Sequence, residues 1–199
     1  MAQQQYSGNE LQIGDGLLSM EFINGWAGKG GMGGYVSMPS AITGALFLTY
    51  RHAFTRRFEV GVTAGYENLS GDLSYGNPEE NQSGLDGVSG HYSVHAYTVA
   101  VEPLLAYFKR RSVMLYGYAG LGCTYFDNKF TFYPNIQYPA FFYGAPGSLV
   151  PSNPYDYHTT YFNAQVTPFG IRFGNTVAGF VEVGFGYKGL INGGLSVRF

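Results

Sequence analysis

A chain of 199 residues is enough for one domain, and 11 Lys and Arg against 13 Asp and Glu offer nucleic acid no basic face. Charged residues make up 12%, about half the share of roughly 25% usual in soluble domains, while 18 Tyr, 16 Phe and 30 Gly are present. The lone Cys123 excludes an internal disulfide, and no apolar run reaches the ~20 residues that a membrane helix needs.

Residues 1–8, "MAQQQYSG", read as a flexible tail, and Ala2-Gln3-Gln4-Gln5 reads like the start of a mature chain after signal-peptide removal. Residues 9–199 read as a single barrel domain. The first strand is expected near "NELQIGDGLLSM" (9–20), although "GLLSMEFINGW" suits a short amphipathic helix equally well. "GKGGMG" (28–33) matches G-x-G-x-x-G, but no Asp or Glu lies between Glu21 and Glu59 to complete a dinucleotide site, so a loop of about 21–40 is expected there. "AITGALFLTYRH" (41–52) leads through a short turn into "FEVGVTAGYENLS" (58–70), and a polar loop of about 71–90 follows. "HYSVHAYTVAVEPLLAYF" (91–108) turns at "KRRS" into "VMLYGYAGLGCTYF" (113–126), and a long loop covers about 127–156. "YHTTYFNAQVTPFGIRF" (157–173) turns at "GNT" into "VAGFVEVGFGYK" (177–188), and "GLINGGLSVRF" closes the chain. Short and long connections alternate, and a closed barrel with both termini on one side needs an even number of strands. The expected fold is all-β: an eight-stranded antiparallel transmembrane up-and-down barrel, with short periplasmic turns and long extracellular loops.

The apolar parity of each strand runs Leu46, Leu48, Tyr50; Phe58, Val60, Val62; Tyr97, Val99, Val101; Val181, Val183, Phe185, Tyr187; and Leu195, Val197, Phe199. Arg51, Glu59, Glu67, Glu102, Glu182, Lys188 and Arg198 all fall on the opposite parity, as two-faced strands require. A soluble barrel also alternates, but its water-facing side would carry many ions. Here the polar parity is mostly Gly, Thr, Ser, Ala, Asn and Tyr with a few charges, which suits a narrow lumen. Lipid is therefore placed against the apolar face. Arg51, Glu59, Glu102, Arg172, Glu182 and Arg198 are expected to pair inside as a plug or, alternatively, a gate. Pro103 and Pro168 recur in "VEPLLAYF" and "VTPFGIRF" and predict a bulge at each, because proline removes a ladder hydrogen bond. Beyond each bulge the parity would flip, turning Leu104, Phe108, Phe169, Ile171 and Phe173 outward and Arg172 inward.

The stretch "TPFGIRFGNTVAGFVEVGFGYKGLINGGLSVRF" (167–199) resembles the closing hairpins of small outer-membrane β-barrels of Gram-negative bacteria, including uncharacterised ones of Bacteroidota type. That resemblance implies an outer-membrane location with periplasmic termini. It also implies that Leu195, Val197 and Phe199 form the signal read by the barrel-assembly machinery. Families of this shape include anchors, adhesins, complex subunits and a few enzymes, so fold alone does not assign function.

Three constellations bear on function. His91 and His95 lie about 13 Å apart along one strand side, too far to chelate one ion unaided, and no metal or cofactor is expected. His91, His95, His158, Ser93, Ser152 and Asp156 near the outer rim offer the residue types of a hydrolase but no diagnostic spacing. Arg51, Arg56, Arg57, Lys109, Arg110, Arg111, Arg172 and Arg198 map to the short-turn side, where lipid head groups or a periplasmic partner would meet them. The most informative segment is "FTFYPNIQYPAFFYGAPGSLVPSNPY" (130–155), with no charge, five prolines and eight aromatics. Exposed apolar segments mark contacts, so Phe132, Tyr133, Tyr138, Phe141, Phe142, Tyr143 and Tyr155 are expected to meet another envelope protein, or else to lie as a lid over the barrel. The expected role is a non-enzymatic subunit or anchor. A rim enzyme acting on lipid or peptide and a narrow solute channel are the alternatives.

Overall fold

The computed structural model describes residues 8–17, 41–74, 88–132 and 155–199. Eight strands follow one another in the chain: β1 (Asn9–Leu17), β2 (Ala41–Ala53), β3 (Phe58–Ser74), β4 (Val88–Lys109), β5 (Val113–Phe132), β6 (Tyr155–Gly174), β7 (Val177–Gly186) and β8 (Ile191–Arg198). Each pairs antiparallel with its neighbours in sequence, and β1 pairs with β8 to close the barrel. Closure removes the sheet edges that would otherwise expose unpaired backbone groups. The seam is tied at its foot, where the Asn9 amide donates to the Phe199 carbonyl at 2.9 Å and the Phe199 amide donates to that of Asn9 at 3.0 Å. Both strand termini thus lie at the end that carries the turns 54–57, 110–112 and 175–176.

Side-chain alternation produces a barrel with its polarity reversed. Val99 is 62% exposed and Leu121 74%, whereas Arg51, Glu102 and Glu182 inside are at most 1% exposed. Leu11, Ile13, Leu46, Leu48, Val62, Val101, Val166, Val181, Val183, Leu195 and Val197 continue the exposed apolar belt around the wall. Water would penalise such a belt, and hydrocarbon would not. On β5 the apolar outward row runs from Val113 to Tyr125, about 40 Å of strand or about 28 Å of height at a 45° tilt, close to a bilayer core. At the upper limit of the belt, Tyr66 packs against Tyr97 with ring centres 5.3 Å apart, and Tyr97 against Tyr125 at 6.4 Å. Amphipathic tyrosine rings favour such a boundary.

The wall is uneven in height. Strands β3 to β6 contain 17, 22, 20 and 20 residues, against 9 in β1, 10 in β7 and 8 in β8. β6 pairs with β7 only over 165–174, so 155–164 rise past the top of β7. Beyond Tyr125, β5 continues to Phe132, about 23 Å of strand. Its outward residues there are Asp127, Lys129 and Thr131, so this part of the wall stands clear of the apolar belt.

Several sequence expectations need correction. The loops expected at 71–90 and 127–156 begin later and end earlier, because cross-strand pairing continues to Ser74, Val88, Phe132 and Tyr155. Pro103 sits in a continuous register between β3 and β4, opposite Val60, and Leu104 points inward at 0% exposure. The irregularity in this part of β4 lies instead at Tyr107, between the pairs Ala106↔Tyr116 and Phe108↔Leu115. Pro168 does sit at a bulge, with register shifts on both sides of β6, and Phe169 and Phe173 face outward beyond it while Arg172 is buried. The two prolines differ because β5 and β7 both skip a rung at Pro168, whereas β3 gives Pro103 a regular partner. Tyr187 points inward, not outward, at 1% exposure. The cause is Gly186, whose φ of +142° ends β7 and turns the next side chain into the lumen. The possible helix in "GLLSMEFINGW" and the "GKGGMG" motif lie outside the described residues, apart from Gly16 and Leu17 at the end of β1.

Candidate functional site

The lumen holds ionic side chains carried on inward rungs of seven strands, all but β5. Glu102 on β4 is the hub. Its carboxylate accepts from the Arg51 guanidinium at 2.8 Å, the Tyr187 hydroxyl at 2.9 Å and the Lys188 ammonium at 2.6 Å. Glu182 on β7 accepts from the hydroxyls of Tyr116 and Tyr118, both at 2.8 Å, and from the Asn192 amide at 3.0 Å, with Arg51 at 3.8 Å. Arg51 further donates to Gln12 at 3.1 Å and lies 4.9 Å from the centre of the Tyr118 ring. Two cations thus face two carboxylates in a space closed to water, with aromatic hydroxyls completing the carboxylate shells. Every charge has an opposite partner and multiple hydrogen bonds, which is what burial demands.

A second layer lies nearer the short turns. Glu10 accepts from Arg172 at 3.0 Å and from Arg198 at 2.5 Å. Lys109 donates to Glu59 at 2.6 Å, and Arg198 approaches the same carboxylate at 3.7 Å. Arg172 also donates to Ser196 and to the carbonyls of Gly174 and Asn175, stitching β6 to β8 and to the turn.

The six residues singled out from sequence are brought together, but as two layers: Arg51, Glu102 and Glu182 above, Glu59, Arg172 and Arg198 below. Sequence reasoning missed Glu10, Lys109 and Lys188 as members. Glu10 and Gln12 alternate with Leu11 and Ile13, a signal that was there to be read. Lys188 lies on the same parity as Glu182 and was legible as an inward charge, whereas Lys109 depends on the Tyr107 bulge, which no periodicity reveals. The basic group expected at the short-turn end divides accordingly: Arg51, Lys109, Arg172 and Arg198 serve the lumen, while Arg56, Arg57, Arg110 and Arg111 are exposed at the turns.

The projecting wall carries two different faces. Inside it, Tyr92, Phe130 and Tyr157 form a stack across β4, β5 and β6, with ring centres 6.4 and 5.9 Å apart, and Phe126 meets Tyr161 edge-on at 5.9 Å. Outside it, His158 stacks on Tyr125 and stands 3.4 Å from Asp127. His95 places Nε2 3.2 Å from Ser93 Oγ and Nδ1 2.9 Å from the Tyr66 hydroxyl. A Ser–His contact therefore exists at the rim, with a phenol in place of a carboxylate on the far nitrogen. Among the described residues no group of three or more His, Cys, Asp or Glu could hold a metal. Ser152 lies outside the described residues. Of the aromatic segment, Phe132 and Tyr155 belong to strand ends, and Tyr133, Tyr138, Phe141, Phe142 and Tyr143 lie outside the described residues. Leu195, Val197 and Phe199 are exposed on the outer surface at 59%, 42% and 68%.

No protein-family model matches the chain, and neither does any curated protein. Among solved structures, the chain is similar to two of Ail, the attachment invasion locus protein of Yersinia pestis, one of them in complex with the heparin analogue sucrose octasulfate. Identity is 13% in both, 97% of each chain is covered, and the TM-scores are 0.45 and 0.46.

Proposed function

We propose that this protein is a non-enzymatic barrel of the bacterial outer membrane, with periplasmic termini, that acts as an anchor or complex subunit and docks another envelope protein through the segment 130–155. The observation that carries the reading is that an uncharged segment with five prolines and eight aromatics joins the two 20-residue strands of the projecting wall. Tyr and Phe supply large contact area at low entropic cost, and proline lowers the cost of ordering a loop on binding. The polar outward rows of Asp127, Lys129 and Asp156 carry its base clear of the apolar belt, where a partner can reach it. The bonded lumen supports an anchoring role over a conducting one, because eight strands leave an interior just wide enough for side chains. Insertion would use the terminal row Leu195, Val197 and Phe199 as the signal for the barrel-assembly machinery.

Deleting 134–154 tests the docking reading. The truncated barrel is expected to insert in the native outer membrane at normal levels and to lose the proteins that co-purify with the full chain. Unchanged co-purification overturns the reading.

One observation favours the second reading, a rim hydrolase: the 3.2 Å Ser93–His95 contact, which could lend Ser93 a base. A fluorophosphonate probe separates the two. Under the docking reading the folded protein stays unlabelled, whereas labelling abolished by both Ser93→Ala and His95→Ala transfers the assignment to the enzyme.

A further inference from the structure

Among the described residues, the apolar belt has a hollow of about 430 Å³ on the outer face of β4, β5 and β6. Its walls are Pro103 and Leu105 on β4 and Val166 and Pro168 on β6, and between them β5 presents only Gly117 and Ala119. Two neighbouring outward positions with almost no side chain make the trough. Two of the wall's irregularities, at Tyr107 and Pro168, form its lower part. Tyr107 leans across β5 and donates to the Pro168 carbonyl at 3.3 Å. A Cβ on Gly117 would stand 2.1 Å from that hydroxyl, so only glycine lets the ring lie there.

Below the hollow the chemistry changes within one turn. Arg110 and Arg111 are exposed on the turn after β4, and Arg110 sits over the outward Phe108 ring at 5.3 Å. Arg57 borders the same region, its carbonyl accepting from the Ala106 amide at 2.7 Å. Among the described residues, no carboxylate pairs with Arg57, Arg110 or Arg111. From Arg110 to Pro103 is about 23 Å along the strand, or about 16 Å of depth at a 45° tilt. One leaflet of a bilayer has a hydrocarbon depth of about 15 Å. The trough and the arginines are therefore spaced as the chain and the phosphate of a single lipid.

We propose that this face binds an anionic phospholipid of the leaflet on the short-turn side, one acyl chain lying over Ala119 and against the Tyr107 ring that covers Gly117, and the phosphate meeting Arg110 and Arg111. Guanidinium forks suit a phosphate, and a preformed trough orders a chain that would otherwise move freely along the belt. The proposal rests on the bilayer-spanning reading but is independent of the docking segment.

The full chain is refolded into vesicles of equal parts phosphatidylglycerol and phosphatidylcholine, released in mild detergent and weighed intact by native mass spectrometry. Wild-type protein is expected to retain one phosphatidylglycerol, favoured about tenfold over phosphatidylcholine, a difference that two charge-assisted contacts can supply. Ala119→Trp fills the trough and is expected to abolish retention of either lipid. Val166→Trp does the same from the adjacent strand should the first variant fail to fold. Arg110→Gln with Arg111→Gln is expected to remove the headgroup preference. Equal retention by wild type and a folded trough-filling variant overturns the site, as does a preference that survives loss of both arginines. Failure of the wild type to insert would instead count against the bilayer-spanning reading itself.

Discussion

Glu102 shows how much one residue can hold in a barrel whose interior is largely polar. It binds Arg51, Lys188 and Tyr187 at once, and its removal would leave two buried cations with no nearby carboxylate but Glu182. Breaking a buried pair by deleting one partner costs about 3–5 kcal/mol. Glu102→Ala is accordingly expected to lower the unfolding free energy by about that amount in vesicle-based urea titrations. Glu102→Gln should lose less, because an amide oxygen still accepts from Tyr187 and Lys188. Equal stability of wild type and Glu102→Ala would mean that the network is solvated and that the lumen is wetter than its burial indicates. The charges of this hub were legible in the sequence from their parity. Which carboxylate meets which cation was not, since that depends on strands far apart in the chain.

At the scale of the element, β6 carries the clearest case of a device that repositions everything after it. Without the bulge at Pro168 the side-chain period of two would send Arg172 into the lipid and Phe173 into the lumen. With it, Arg172 reaches Glu10 at 3.0 Å and Ser196 at 2.9 Å. Deleting Pro168 alone is expected to prevent assembly, seen as loss of the heat-sensitive shift of a folded barrel in electrophoresis. Pro168→Ala, which keeps the residue count, should still assemble, and failure of both alike would refute the register argument. The same reasoning separates the two prolines. Both announced an irregularity in the sequence, but only partner strands decide whether a rung is skipped, so Pro103 stayed in register and Tyr107 took the bulge.

For the whole molecule, the ordering of layers sets what can pass through. The lower layer pairs Glu10 with Arg172 and Arg198, and the upper layer pairs Glu102 with Arg51 and Lys188. Together they span the lumen between the short-turn end and the level of Tyr187. Planar bilayers containing the full chain are expected to show no discrete conductance steps at neutral pH. Regular steps would restore the channel reading and assign the upper layer as its gate. The unequal wall is the second whole-molecule feature. It sets the aromatic stack of Tyr92, Phe130 and Tyr157 and the foot of the segment 130–155 on one side of the mouth, beyond the reach of β1, β7 and β8.

By itself the sequence determined the class of barrel, its strand parity and the side that meets lipid, because alternation is a local property written into adjacent residues. It also carried the list of lumen charges wherever the strand was regular. The inward turn of Tyr187, the recruitment of Lys109, the regular seat of Pro103, the choice of ion-pair partners and the trough beside Gly117 were decided only in the folded wall. Each depends on register between strands, which is set by pairing across the barrel and by bulges whose position is chosen by the neighbouring strand.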